Sequence, residues 1–188
     1  MVQASALAHI SVVLVRPRQP ENVGFVARTV ANHGLGPLVL VNPTAFDPER
    51  ARWSAPGARH IIDRARVWGT LDEAIAEFDQ VFGTTARDRT ITQACWTPQE
   101  LCPRVLPPSR KSAILFGPED SGLTREDLSH CTALVRIPTT EVSSLNLAQA
   151  VTALAALLKH EESRNDAPTV PPPPLPSMAA QTALVDEA

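Results

Sequence analysis

The sequence predicts one α/β domain with helices on both faces of a mostly parallel sheet, and three observations carry that prediction. Short apolar runs recur that are too brief for helices and lack alternation, as strands buried on two faces do. A segment of helical period lies between the first two runs. Later runs alternate with threonine-initiated helix starts, the rhythm of βαβ units. At 188 residues, 44% hydrophobic and 20% charged, the chain suits one well-buried domain followed by a tail.

The elements follow in order. His9 to Val15 and Leu38 to Val41 read as strands. Between them Val23, Val26, Ala27, Val30 and Ala31 fall at helical spacing, His33 suits a helix end, and Gly34 with Gly36 stops the helix. Thr70 to Glu73, Thr97 to Glu100 and Thr124 to Asp127 each read as a capping-box start or a near variant, the second with Pro98 at the first helical position. Strands fit at Gln80 to Thr84, Ser112 to Phe116 and Ala133 to Ile137. A last helix is expected from about Ser144 to Glu162, with Leu147, Val151, Leu154 and Leu158 as its apolar stripe and Ser143 or Ser144 as its cap.

No run approaches the roughly 18 apolar residues of a membrane span, and the N-terminus lacks a basic start and a cleavable small-residue site, so a soluble cytoplasmic protein without a membrane partner is expected. Cys95, Cys102 and Cys131 are odd in number and lack paired spacing, which predicts small buried or half-buried residues and neither a disulfide framework nor a zinc knuckle. Residues 165–188, with PPPPLP at their centre, read as an extended Pro-rich tail outside a domain of residues 1–164. The tail holds three of the 20 acidic residues and none of the 17 basic ones, so residues 1–164 balance at 17 of each. A polyanionic partner must therefore be met by a local patch.

Ligands of open α/β sheets collect beyond the carboxyl ends of the strands, and three loops there are unusual. RPRQPENVGFVAR brings Arg16, Arg18, Asn22 and Arg28 to a helix start, a guanidinium cluster suited to phosphate; the plain alternative makes Asn22 a cap and Arg28 a solvated side chain. LFGPEDSGLT ends a strand in two glycines, with neither a Walker lysine nor a dinucleotide fingerprint. Its Glu119 and Asp120 could serve as acid and base, coordinate a metal, or form an ordinary acidic turn. VSSLNLAQAV sets two hydroxyls and an amide at the last helix start, where one cap needs only one of them. No Ser-His-acid set accompanies these serines.

Taken together and in this order, ENVGFVAR, ILFGPEDSGLT and IPTTEVSSLNLAQAV resemble the three signature motifs of the SPOUT RNA 2'-O-ribose methyltransferases of the TrmH group, TrmJ-like branch. GLGPLVLVNP, ARWSAPGARHIID and FGTTARDR extend the likeness over about residues 9–162. The resemblance implies a SPOUT fold with a C-terminal deep trefoil knot and S-adenosyl-L-methionine bound there without a metal. It also implies a homodimer, with Val151, Leu154 and Leu158 divided between core and interface. The implied reaction methylates a ribose 2'-OH of tRNA, at anticodon-loop nucleotide 32, with ribosomal RNA as the nearest alternative. Cofactor contacts are implied for Thr84, Thr85, Ala86, Gly117, Ile137, Ser143, Ser144 and Leu145, and catalytic roles for Asn22, Arg28, Glu119 and Ser144. Arg16, Arg18 and Arg28 are the expected RNA contacts. The connection Pro138 to Val142 is slightly shorter than in typical TrmJ-like sequences, and a Pro-rich tail replaces their helical extension. A cofactor-binding module that has lost catalysis would have no reason to keep Asn22, Arg28, Glu119 and Ser144 together. A dinucleotide dehydrogenase is disfavoured because no Gly-x-Gly-x-x-Gly follows the first strand.

Overall fold

The chain opens its sheet with a strand of six consecutive buried residues, β1 (Ile10–Val15), whose side chains alternate between two cores. The computed structural model describes residues 5–44, 46–86, 93–142 and 144–166. After β1 come α1 (Pro20–His33), β2 (Leu38–Val41), α2 (Pro48–Trp53), α3 (Arg59–Asp63), β3 (Arg66–Trp68), α4 (Leu71–Ile75) and β4 (Gln80–Thr84). The rest is β5 (Cys95–Trp96), α5 (Pro98–Val105), β6 (Ser112–Phe116), α6 (Arg125–Ser129), β7 (Ala133–Val135) and α7 (Leu147–Asp166). The described strands form one seven-stranded sheet in the order β3-β2-β1-β6-β4-β7-β5, and every pairing is parallel. All their carboxyl ends therefore lie along one edge.

Ile10, Val12 and Leu14 face a core shared with α1, α2, α3, α5 and α7, while Val13 and Val15 face a second core closed by α4 and α6. Both faces are covered, as continuous apolar strands require. In α1, Val23, Val26, Ala27 and Val30 are buried, Pro20 opens the first turn, and Gly34 at φ 66° donates its N–H to the Val30 carbonyl. Thr70, Thr97 and Thr124 cap α4, α5 and α6, the last two as full capping boxes. Leu147, Val151, Leu154 and Leu158 of α7 are at most 5% exposed. The three last-named side chains thus belong wholly to the core of their own chain and leave nothing for an interface, because α7 packs onto α1 and α5. Full burial of each stabilises by about 1.5–3 kcal/mol.

Several boundaries differ from the sequence reading. The last strand stops at Val135, and the last helix starts at Leu147 and runs to Asp166, two residues past the expected domain limit. Its start is secured by Asn146 and not by Ser144: the Asn146 Oδ1 accepts the N–H groups of Ala148 (2.9 Å) and Gln149 (3.4 Å). Ser143 and the tail from 167 onward lie outside the described residues. Cys102 and Cys131 are buried, whereas Cys95 is exposed because its strand is the sheet's edge. Burial, then the charge of Glu161, pushes the Cys102 thiol up to about 11, and burial with Asp127 pushes Cys131 to about 12, so both stay protonated at neutral pH. No described helix is long and apolar enough to cross a membrane.

Candidate functional site

Three strand ends and one helix start enclose a cleft of about 260 Å³ at the carboxyl edge of the sheet. That is near the lower end of the range that holds small organic ligands, about 300 Å³. Thr84, Thr85 and Ala86 follow β4, Gly117 to Leu123 follow β6, Ile137 and Thr139 follow β7, and Ser144, Leu145, Leu147 and Ala150 come from the approach to α7 and its first turn. Every described residue expected to touch the cofactor lines this one cleft; Ser143 lies outside the described residues. The Thr84 hydroxyl donates to the Leu115 carbonyl (2.9 Å) and the Thr85 N–H to that of Val135 (3.0 Å), which ties the β4 end to both neighbours. A Cβ on Gly117 would stand 2.2 Å from the backbone of Gly122 and Leu123, so only glycine lets this loop fold back on itself.

On the cleft wall, the Glu119 carboxylate begins a network that reaches all three motif segments. Glu119 Oε2 accepts the Arg18 N–H (3.0 Å), while Oε1 accepts the Gln19 N–H (3.2 Å) and the Asn22 side-chain amide (2.9 Å). Asn22 Oδ1 in turn accepts from Asn146 Nδ2 (3.2 Å), and Asn146 also opens α7. Asn22 is 4% exposed and sits inside α1, so it is not the helix cap; Gln19 occupies that position without a side-chain cap bond. The interior placement follows from Pro20, which starts the helix two residues earlier and turns Asn22 toward Glu119. In the sequence Asn146 is the amide that stands beside the two serines at the last helix start; its direct link to Asn22 came only with the fold.

The three arginines expected to meet RNA are placed in three different ways. Arg16, at φ 51°, turns its guanidinium onto both carboxylate oxygens of Asp127, one of them at 3.1 Å. Asp127 is buried and also closes the α6 capping box. Arg16 thus ties β1 to α6 through Asp127, so the expected RNA contact is paired within its own chain. The Thr124 to Asp127 spacing located the cap but carried no sign of this pair. Arg18 is exposed and pairs at 2.8 Å with Asp120 on the cleft wall. Arg28 is exposed on α1, does not line the cleft, and has no hydrogen-bond or ion-pair partner among the described residues. Among the described residues no three His, Cys, Asp or Glu side chains gather to hold a metal ion.

The profile of the SpoU rRNA Methylase family matches residues 9–156, a span that includes every element lining the cleft. The chain belongs to the SpoU rRNA Methylase family. Within it, the tRNA (cytidine/uridine/adenosine-2'-O-)-methyltransferase TrmJ of Pseudomonas aeruginosa is 44% identical over 152 residues, covering 79% of this chain and 59% of that relative. The tRNA (cytidine-2'-O-)-methyltransferase TrmJ of Methanocaldococcus jannaschii is 36% identical over 160 residues, covering 83% of this chain and 70% of that one. The crystal structure of TrmJ from Z. mobilis superposes with a TM-score of 0.75 at 38% identity, over 79% of this chain and 67% of that one. An AdoMet-bound rRNA methyltransferase from Sinorhizobium meliloti superposes with a TM-score of 0.66 at 25% identity, over 81% of this chain and 56% of that one. The chain therefore spans only about three fifths of the Pseudomonas relative's length.

Proposed function

We propose that this chain is an S-adenosyl-L-methionine-dependent 2'-O-methyltransferase of tRNA. The observation that carries the reading is the convergence of Thr84, Thr85, Ala86, Gly117, Ile137, Ser144 and Leu145 on one cleft. The cleft suits that cofactor chemically: its described lining includes two carboxylates, Glu119 and Asp120, and no Lys, Arg or His, which favours a cationic ligand. When bound, the cofactor supplies a methyl group activated by a sulfonium centre, and such a transfer needs neither a metal nor a covalent enzyme intermediate. The described TrmJ relatives support tRNA as the substrate.

In this reading the strand-end threonines and the 117–123 loop cradle the cofactor, and Glu119, Asn22 and Asn146 hold the three segments in register. Arg28 contacts the phosphate and the target ribose. A guanidinium holds its proton too firmly to be a good base, so its contribution is orientation of the 2'-OH and stabilisation of developing charge. Since Arg28 does not line the cleft of its own chain and lies on the same exposed α1 stripe as Phe25 (48% exposed), the reading includes a homodimer in which a second copy presents it. A C-terminal trefoil knot belongs to the same reading, supported by the sheet order that sets β7 between β4 and β5. A tRNA substrate puts the reaction in the cytoplasm.

The family's name favours ribosomal RNA as a second reading. Mapping 2'-O-methyl nucleotides by mass in RNA from cells with and without the gene separates the two. Loss of the mark at tRNA nucleotide 32 supports the reading, loss confined to ribosomal RNA replaces the substrate, and no change in either overturns the enzyme.

A further inference from the structure

The geometry points to the Arg18–Asp120 ion pair as an exchangeable latch, through which an arriving RNA phosphate raises the cleft's affinity for the cationic methyl donor. The inference rests on the methyl-donor reading of the cleft. Glu119 and Asp120 stand side by side on the wall, but their carboxylates are used differently. Glu119 is occupied by three donors of the β1–α1 segment. Among the described residues Asp120 receives only the Ser121 hydroxyl (3.1 Å) and the Arg18 guanidinium (2.8 Å), and the side chains of Asp120 and Arg18 are 52% and 56% exposed.

An ion pair this exposed is weak and readily exchanged. An RNA phosphodiester offers the same guanidinium two oxygens and one negative charge, as Asp120 does, and it belongs to a polyanion whose neighbouring phosphates add to the attraction, so it competes for so exposed a guanidinium. The exchange needs no backbone movement, since the Arg18 main-chain N–H is fixed to Glu119. Arg16 cannot act in this way because Asp127 holds it. When Arg18 turns to a phosphate, Asp120 is left uncompensated on the wall. S-adenosylmethionine carries one net positive charge and its demethylated product none, so the bared carboxylate favours the donor over the product. Coupling is reciprocal: the donor strengthens RNA binding by the same factor, and that factor vanishes once the methyl group has left.

Calorimetry with sinefungin, an inert cofactor analogue bearing an amine cation, and with S-adenosylhomocysteine, which has no net charge, tests this at low salt. In the wild type, unmodified tRNA should tighten sinefungin by about threefold or more and leave S-adenosylhomocysteine within about twofold. Arg18→Ala should bind sinefungin more tightly without RNA and gain nothing further from it, while Asp120→Asn should weaken sinefungin alone and abolish the RNA effect. Equal shifts for both ligands in Asp120→Asn, or an RNA effect that survives in Arg18→Ala, would overturn the latch. If the wild type binds neither ligand, the methyl-donor reading itself fails; if it binds both and the variants do not discriminate, only the latch fails.

Discussion

Glu119 accepts three hydrogen bonds from the β1–α1 segment, whereas Arg28, less than two turns beyond Asn22 on α1, touches no described partner. Both are proposed to act in one reaction, yet the fold treats them oppositely. The cofactor side is assembled in advance, with Glu119, Asn22 and Asn146 linked across three segments distant in sequence. The ordering entropy of that side is met during folding and not at the moment of binding. On the proposed RNA side the Arg28 guanidinium meets no carboxylate among the described residues, so a phosphate need displace no described partner from it. Arg16 shows the opposite treatment: it is paired with Asp127 and ties β1 to α6.

The difference can be broken from either side. Arg28→Ala should lower methyl transfer on the order of 10² or more while leaving cofactor affinity and melting temperature nearly unchanged, because it removes a charged transition-state contact and no packing. Arg28→Lys should recover little, since a point charge cannot reproduce the planar fork. Tritium transfer to unmodified tRNA, beside calorimetry on the same samples, reads both quantities.

Gly117→Ala attacks the prebuilt side. Its Cβ would meet backbone at 2.2 Å, so the loop must shift. Overpacking of this kind costs about 1–3 kcal/mol, and cofactor affinity should fall together with the melting temperature, unlike in the arginine variants.

Asp127→Asn sharpens the contrast with Arg16 and should cost about 1–2 kcal/mol, less than a fully buried pair because Arg16 is 34% exposed. Burial alone would raise the Asp127 carboxyl, but the bonds from Arg16 and Thr124 outweigh it and hold the group below the ordinary value of 3.8. A depressed carboxyl stabilises the fold fully at neutral pH, and the contribution is lost as pH falls below 3.8 through the lower folded-state value. Thermal melts between neutral and acidic pH should therefore converge for wild type and variant at the acidic end.

The strands of the sheet centre were legible because Ile10 to Val15, Leu38 to Val41 and Ser112 to Phe116 are unbroken apolar runs, a pattern that burial on two faces imposes. The edges were not. All three residues of β3, Arg66, Val67 and Trp68, are exposed, and β5 is two residues long, so neither carries a hydrophobic signal. The helices α2 and α3 are too short to show a period, although Asp47 before Pro48 does cap the first of them. At the site, the residues of the cleft could be placed through their motifs, while the partner choices could not. That Arg16 meets Asp127 and Asn22 meets Asn146 depends on strand order, joining positions 111 and 124 residues apart. Local spacing carries no information at that range.

Mixing two variants tests the division of labour most directly. Leu145→Pro should disable the cofactor turn and Arg28→Ala the RNA side, so each protein alone should transfer little tritium from S-adenosylmethionine to unmodified tRNA. After unfolding and refolding together, the mixture should regain a substantial fraction of wild-type transfer, because one copy retains an intact cleft and the other an intact Arg28. A mixture as inactive as its components, with heterodimers present, would contradict the account, and so would an Arg28→Ala protein that turns over normally.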